Sequence, residues 1–452
     1  MGIGKKTIKK ASKKVIKKAI AISTIIAITT ATSVLAANQS HVDQLVKTKE
    51  CSECDLPDAR LAGADLIGAN VRDADLRKAD LRGAKLDGAK FMRSNMLGAD
   101  LRFALLSGAD FLNTNLLEAK LEGANLFRAN LKYANLERAN LSQASLKNAD
   151  LQFAKLNGAK IDNANLERAN LGLAELEKAD FTNSRLKRAN LRRANFSEVN
   201  LTRANLEGAS LEGATFAGAN LFHTDLRSSK IDSDTFFDPK WFLVWKVVNQ
   251  RLDGQTLVAA DLSGGNFEKA NLAGMNMEDA NFTQAYLFIT NLRRSNLARV
   301  KFNEANLRYA DLMKANLTEA DFAGAQLSDA NLEGANLRLA NLRESIINEE
   351  TVLDRKWRIV WDIVNRGGED LNLRGEDLAG ANLRLARLRG ARLLDANLSQ
   401  SDLRGADFVG ANLQRANLSG ANLTGANLRG AVLQGANFCG ATMPDGTVEK
   451  CK

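Results

Sequence analysis

The chain has 452 residues, but a five-residue repeat fills most of it, and repeats of so short a period stack into one elongated body rather than several globular domains. Eight of the 62 basic residues lie within the first 18 positions, so the rest of the chain has 54 basic and 53 acidic residues despite the formal net charge of +9. Because the rest of the chain is nearly neutral, the high isoelectric point does not indicate nucleic-acid binding.

Residues 1–36 have the three parts of a secretory signal peptide. A lysine-rich segment is followed by the charge-free stretch from Ala19 to Ala37, and Val34 and Ala36 fit the −3 and −1 positions of a cleavage site. We therefore expect cleavage after Ala36 and export of the mature chain. The alternative is an uncleaved membrane anchor, since the stretch is long enough to span a bilayer, although its serine and threonine residues make it weakly apolar.

Residues 37–55 precede the first complete repeat and are predicted to cap the N-terminal end of the stack, because an exposed ladder end invites aggregation. Cys51 and Cys54 lie in this segment, and theirs is the only metal-like spacing in the chain. A single C-x-x-C supplies two ligands, whereas a structural zinc ion needs four. His41, in the same segment, is expected to be a solvated structural histidine.

The repeat, written A-(D/N)-L-x-x, predicts a chain that turns a corner once in every five residues. Apolar residues recur at every fifth position, as from Leu61 to Leu101. A step of five residues turns a side chain by about 140° on an α-helix, and an odd step places successive side chains on opposite faces of a strand. Neither a regular helix nor a regular strand would therefore give these residues a single apolar face. Within one unit, however, alanine and leucine lie two residues apart and share a strand face. Both therefore point to a common axis, and the acidic or amide residue between them faces water.

The phenylalanine positions favour four units per coil. Phenylalanine replaces leucine at pairs of positions twenty residues apart: Phe91 and Phe111, Phe196 and Phe216, Phe302 and Phe322. A coil of twenty residues would stack the two rings of each pair directly on one another.

The A-(D/N)-L-x-x unit resembles the pentapeptide-repeat family, and the resemblance covers most of the chain. It implies an all-β solenoid, a right-handed quadrilateral β-helix with four units per coil. The signal segment, the TKECSECDL sequence and the tryptophan-containing inserts resemble exported cyanobacterial members, for which no general activity is known. That resemblance implies a periplasmic or thylakoid-lumenal address, with extracellular secretion as a further destination.

Two copied segments interrupt the leucine register. The sequences Ile231–Leu257 and Ile347–Leu373 align at a constant offset of 116 residues, and together they contain all four tryptophans. In each copy the tryptophans and valines fall at i, i+3, i+4 and i+7, which predicts a helix with one apolar face. Asp238 and Asp354 are the expected N-caps, and the helices are expected to end at Asn249 and Asn365. The tryptophans of the two apolar faces are Trp241 and Trp245 in the first copy and Trp357 and Trp361 in the second.

The preferred interpretation of these inserts is that each tryptophan face packs on the rod and fills a joint. The alternative is a docking surface, formed by the same four tryptophans, for another protein or a membrane interface; the basic residues nearby are Lys240, Lys246, Arg355, Lys356 and Arg358. Oligomers through the rod ends or the tryptophan helices are also compatible with the pattern.

The predicted segments are a signal peptide (1–36), an N-terminal cap (37–55), repeat blocks (56–231, 257–347 and 373–443), helical inserts (232–256 and 348–372) and a C-terminal cap (444–452).

The four cysteines predict two local disulfides, Cys51–Cys54 and Cys439–Cys451, because the two pairs lie at opposite ends of a long rod and an exported chain favours disulfides. Cys54 should face the axis and Cys51 the rim. The alternatives for these cysteines are free thiols and metal or redox chemistry. No catalytic residue, metal or cofactor is predicted, since His223 should be a solvated corner residue and the acids and bases are scattered outward.

The sequence bears on three candidate functions. A non-enzymatic exported scaffold that presents its outer faces to an unknown protein partner fits the pattern best. A DNA mimic that acts on a topoisomerase, as in pentapeptide-repeat proteins of the quinolone-resistance type, would need a strongly acidic surface and a cytoplasmic address. A redox enzyme using Cys51 and Cys54 would need those thiols to be accessible.

Overall fold

The computed structural model describes residues 37–250, 252 and 256–451. The predicted signal peptide therefore lies outside the described residues, and its cleavage stays a prediction. The helices and strands are α1 (Gln39–Thr48), β1 (Thr215–Phe216), β2 (Phe236–Phe237), α2 (Pro239–Asn249) and α3 (Arg355–Arg366), with β1 and β2 paired in parallel. Within the described part of the chain, no helix is both long enough and apolar enough to cross a membrane.

The repeats form coils of twenty residues. Isolated parallel bridges join residues twenty positions apart, as between Asp55 and Asp75 or Asn135 and Lys155. Hydrogen bonds run to both neighbouring coils: the Leu136 N–H donates to the Lys155 carbonyl at 2.7 Å, and the Asn135 N–H donates to the Thr114 carbonyl at 3.0 Å. Each coil thus contains four five-residue units, as the phenylalanine spacing predicts.

Leucine and alanine fill the interior. Ala134 and Leu136 are both fully buried, and the same holds for nearly every unit in the coils. The paired phenylalanines stack, with ring centroids 5.0 Å apart for Phe91 and Phe111 and 5.2 Å apart for Phe302 and Phe322. Because neighbouring coils bury the same residues in register, the core is a continuous column shared by successive coils.

Each corner uses a residue in the left-handed conformation. Arg138, at the second position after Leu136, has φ 54°, and the N–H of Ala139 closes the corner on the Leu136 carbonyl at 3.0 Å. This conformation costs a non-glycine residue roughly 1–2 kcal/mol. The Arg138 N–H donates to the Asn157 carbonyl at 3.0 Å, so a ladder bond to the next coil offsets that cost.

The N-terminal cap pairs the edge of the first coil. Helix α1 places Leu45 in the core, and Asn38 caps the helix by accepting from the Ser40 N–H at 3.1 Å. The Asn38 N–H donates to the Asp55 carbonyl at 3.2 Å, and His41 Nδ1 accepts from the Asp55 N–H at 2.9 Å. His41 is therefore half-buried and bonded to the rod, which corrects the expectation of a solvated histidine.

The ladder begins earlier than the predicted cap boundary. Glu50 pairs with Asn70, and the Cys51 N–H donates to the Asn70 carbonyl at 2.8 Å. Cys51 consequently occupies an inward leucine position and is fully buried, so the expectation that it lies at the rim is wrong. At the other end, Val448 pairs in antiparallel fashion with Thr442, and the C-terminal segment folds back over the last coil.

Coils meet directly at one corner beside each helical insert. The His223 N–H donates to the Gly264 carbonyl at 2.7 Å, and the Leu339 N–H donates to the Gly380 carbonyl at the same distance. These bonds span 41 residues instead of the usual 19, because α2 or α3 lies in the intervening segment. We call the two regions the first and the second joint.

Candidate functional site

The tryptophans of α2 and α3 anchor each helix to the rod. Trp245 Nε1 donates to Ser229 Oγ at 3.1 Å, and Trp361 Nε1 donates to Ser345 Oγ at 3.1 Å. Both indoles are buried, as is Trp357, whereas Trp241 is half-buried. The rod thus covers most of this face, which supports the packing interpretation. Three of the four tryptophan side chains have little exposed surface that a partner could contact.

Asn249 and Asn365 bind the helix ends to the preceding block. Asn249 Nδ2 donates to the Leu226 and Trp245 carbonyls, both at 2.9 Å, and Asn365 Nδ2 makes the equivalent bonds to Leu342 and Trp361 at 3.0 Å. Helix α2 ends at Asn249, as predicted, but α3 continues one residue further, to Arg366.

The aspartates at the N-cap positions do not cap their helices with their side chains. Asp238 accepts instead from the Gly218 N–H at 3.2 Å, and Asp354 from the Gly334 N–H at 3.3 Å. Both donors belong to the previous coil, twenty residues earlier. The carboxylates therefore continue the coil ladder at the point where the backbone leaves it, which corrects their predicted role.

The basic residues of the inserts are largely occupied within the protein. Lys240 lies 3.5 Å from Asp261 and Lys356 lies 3.0 Å from Asp377. Arg355 pairs with Glu376, and Arg358 Nη2 donates to the Thr351 carbonyl at 2.6 Å. These bonds join each helix to neighbouring coils, so the same charges are less available to a membrane surface than the sequence suggested.

His223 is part of the first joint, not a solvated corner residue. Its Nε2 lies 2.6 Å from the Gln284 carbonyl oxygen, and its own carbonyl accepts from Asn266 Nδ2 at 3.3 Å. Its ring stacks on Phe222, with centroids 4.0 Å apart. Burial lowers the pKa of His223 below the ordinary value of 6.5, although the Gln284 contact partly opposes the shift. One side chain thus joins two blocks in its neutral form.

The first joint should loosen in mild acid. Because the folded pKa of His223 is depressed, its stabilisation is present above pH 6.5 and is lost as pH falls from 6.5 through the folded pKa. We expect hydrogen exchange at the His223 amide to accelerate over that interval relative to the second joint, where Leu339 takes the equivalent place. His223→Gln should abolish this acid-dependent difference between the joints, and a difference that persists in the variant would assign it to another group.

The cysteines pair locally in the structure, Cys51 with Cys54 and Cys439 with Cys451, at Cα separations of 5.3 and 4.4 Å. Cys51 and Cys54 are both buried, whereas Cys451 is exposed. Each pair closes a segment at one end of the coil stack. Among the described residues, no group of three or more histidine, cysteine or acidic side chains could hold a metal ion.

Oxidised protein should contain these two disulfides and no others. We expect non-reduced peptide mapping by mass spectrometry to find Cys51 linked to Cys54 and Cys439 linked to Cys451, because each pair is held close by the coil stack. The two cysteines of the C-terminal pair are 12 residues apart, and closing a loop of this length adds roughly 3 kcal/mol to the free energy of unfolding. Four alkylated thiols, links between opposite ends or stoichiometric zinc would contradict the assignment.

An exposed apolar strip lies on one corner of the first block. Tyr133, Phe153 and Leu173 are 52%, 37% and 40% exposed, and the two rings stack at 4.8 Å. The three residues occupy the same corner position in consecutive coils, and polar Asn113 and Arg193 continue the corner on either side. We call the three residues the aromatic corner. Their twenty-residue spacing is visible in the sequence, but it falls at outward corner positions and not in the inward leucine register.

A groove of about 750 Å³ lies beside the end of α2 and the first coil of the second block. Among the described residues that line it, Lys269 is the one titratable side chain, and most of the others are asparagine, alanine or valine. The lining therefore brings together no acid and base that could share a proton transfer.

The chain was compared with known protein families and structures. A family model described as pentapeptide repeats matches well over half of the chain, at residues 54–93, 94–132, 124–163, 159–197, 194–231, 256–294, 290–318, 320–349, 369–405 and 406–443. No curated protein matches the chain.

Several solved structures are similar to parts or most of the chain. HetL, a pentapeptide repeat protein involved in heterocyst differentiation regulation in the cyanobacterium Nostoc sp. strain PCC 7120, is 21% identical over 92% of this chain and 100% of its own, with a TM-score of 0.14. QnrB1, a plasmid-mediated fluoroquinolone resistance protein, is 19% identical over 41% of this chain and 83% of its own, with a TM-score of 0.29. A pentapeptide repeat protein of the Arabidopsis thaliana thylakoid lumen is 28% identical over 26% and 68%, with a TM-score of 0.16. At these TM-scores the three structures carry no argument about function.

Proposed function

Since the chain belongs to the pentapeptide repeat family, whose repeats form a right-handed β-helix, we propose that it is a non-enzymatic, exported scaffold that binds a protein partner. The aromatic corner is the observation that carries this proposal. Large apolar side chains that are contiguous and exposed mark contact surfaces, especially where polar residues surround them. Aromatic side chains are also enriched at the centre of protein interfaces.

The corner is presented on a rigid support. Tyr133 and Phe153 project from left-handed corner positions whose backbone bonds link three consecutive coils. Their rings are parallel within 1°, so each limits the motion of the other. A partner would therefore bind a preorganised surface and lose little side-chain entropy there.

The charge distribution favours this function over DNA mimicry. Opposite charges alternate along the outer ladders, as between Lys147 and Glu167 at 3.1 Å and between Lys187 and Glu207 at 2.8 Å. A nucleic-acid mimic needs a surface of one sign, and the 54 basic and 53 acidic residues outside the N-terminal lysines do not supply it. The burial of Cys51 and Cys54 likewise disfavours a redox enzyme, because thiol exchange needs an accessible sulfur.

Affinity capture from the exported fraction tests the proposal. The wild-type protein should retain a defined partner, and the Tyr133→Ser/Phe153→Ser double variant should bind it at least about thirtyfold more weakly, the equivalent of one truncated interface hot spot. Tyr309→Ser is the matched control, because Tyr309 is 47% exposed at a left-handed corner of the second block. Equal capture by all three proteins would contradict the assignment of the corner, and capture of no partner would contradict the binding function.

The exported address is a separate part of the proposal and rests on the N-terminal signal. The mature N-terminus should be Ala37, as read by terminal sequencing of protein recovered from the periplasm, thylakoid lumen or medium. Retention of residues 1–36 on membrane-bound protein would instead favour the anchor. Recovery of the intact chain from the cytoplasm would contradict export.

A further inference from the structure

The two joints are copies in their bonding, but they differ in one set of charges. The Trp–Ser, Asn–Leu and Lys–Asp contacts recur in both at an offset of 116 residues. At three further equivalent positions the central arginine is kept and the two residues around it change. The first joint has Asp225, Arg227 and Glu268, and the second has Asn341, Arg343 and Arg384.

In the first joint, the arginine of this set is paired with two carboxylates. Arg227 Nη2 lies 2.6 Å from Asp225 Oδ2 in its own coil and 3.2 Å from Glu268 Oε2 across the joint. The three side chains are 23%, 9% and 20% exposed. The guanidinium thus has one carboxylate on each side, and the ion pair closes the contact between the two blocks.

The second joint has a second arginine where the first has the cross-joint acid. Arg343 Nη2 donates to the backbone carbonyl of Arg384, so its guanidinium reaches across the joint to the residue equivalent to Glu268. Burial and the charge of Arg384 lower the pKa of Arg343, and Glu344 only partly opposes them. Like charges opposite one another on neighbouring strands destabilise a ladder.

The acid in the following coil is shared between two arginines. Asp402 accepts from Arg404 Nε at 2.8 Å and from Arg404 Nη2 at 2.6 Å. Although burial raises the pKa of Asp402, these bonds and the charges of Arg404 and Arg384 lower it, so its single negative charge is divided between Arg404 and Arg384. Asn341 supplies only a neutral oxygen, which accepts from the Arg343 N–H at 3.2 Å. Three arginines, each directly after an inward leucine, follow one another in three consecutive coils: Arg343, Arg384 and Arg404.

We propose that the second joint binds a small free oxyanion of phosphate or sulfate size between Arg343 and Arg384. The anion would take the place that the Glu268 carboxylate holds in the first joint. Guanidinium groups match such anions because they donate two parallel hydrogen bonds. Arg343 is half-buried and Arg384 is exposed, which gives a small anion an open approach and a partly desolvated partner.

Hydrogen exchange at the two joints tests the proposal within one molecule. The probe is inorganic phosphate, compared with chloride at equal ionic strength. Phosphate should slow exchange of the Leu339 amide, which bonds across the second joint, by about tenfold when its concentration is about ten times the dissociation constant. The His223 amide of the first joint should not respond. Equal slowing at both joints would identify a general salt effect and overturn the site, as would no slowing at either.

Exchanging the charges provides matched variants. Arg384→Glu should protect the Leu339 amide in chloride alone and remove the phosphate response, because Arg343 then has the carboxylate that Arg227 has. Asp225→Asn/Glu268→Arg, which gives the first joint the residues of the second, should transfer the response to the His223 amide. A phosphate response that persists in Arg384→Glu would overturn the proposal. If that variant fails to fold, the double variant decides, and a first joint that stays insensitive to phosphate overturns it equally.

Discussion

Replacing Leu136 with lysine should unfold the coils on both sides of it. Leu136 is fully buried in the first block, and its neighbours in the column, Leu116 and Leu156, offer no counter-charge. The substitution removes about 1.5–3 kcal/mol of apolar burial and adds several kcal/mol for an unpaired buried ion. Adjacent coils share their core and their ladder, so the damage should spread beyond one coil.

Hydrogen exchange and thermal unfolding measure this effect. We expect Leu136→Lys to abolish exchange protection of the amides bonded to neighbouring coils and to lower the unfolding midpoint of the first block. Glu137→Lys is the matched control, because residue 137 is the next in the chain and faces outward. It should change stability by less than about 0.5 kcal/mol. Equal effects of the two substitutions would contradict an inward leucine column.

Replacing Trp245 with alanine should uncouple the first block from the second. The indole is 7% exposed and holds α2 against the rod through Ser229. Removal of a buried aromatic side chain of this size costs about 3–5 kcal/mol. Since Asn249 and Val247 depend on the same helix, loss of its anchor should loosen the whole joint rather than one contact.

Limited proteolysis should report this loosening as new cleavage between residues 231 and 262. Phe242→Ala is the matched control, since Phe242 is in the same helix but is 45% exposed, and it should leave the joint resistant. Trp361→Ala should produce the equivalent cleavage between residues 347 and 378, because its contacts repeat those of Trp245. A resistant joint after loss of Trp245 would show that the insert does not hold the blocks together.

The sequence by itself determined the coil. Every unit repeats the same local choice, with alanine and leucine facing inward and a polar residue between them, so one five-residue period specifies the core over most of the chain. The stacking of Phe91 on Phe111 followed from their spacing for the same reason. A pattern that depends only on local alternation and a constant period can be read without knowledge of distant contacts.

Only the tertiary structure decided what happens where that period stops. His223 and Asp238 have ordinary positions in the sequence, yet one bonds across the first joint and the other to the previous coil. The aromatic corner likewise lies at outward positions, for which the inward leucine register makes no prediction. The facing of Arg343 and Arg384 depends on a contact 41 residues long, created because α3 lets two coils meet directly. No local period encodes such a contact, since the path of the intervening helix determines which residues lie opposite one another.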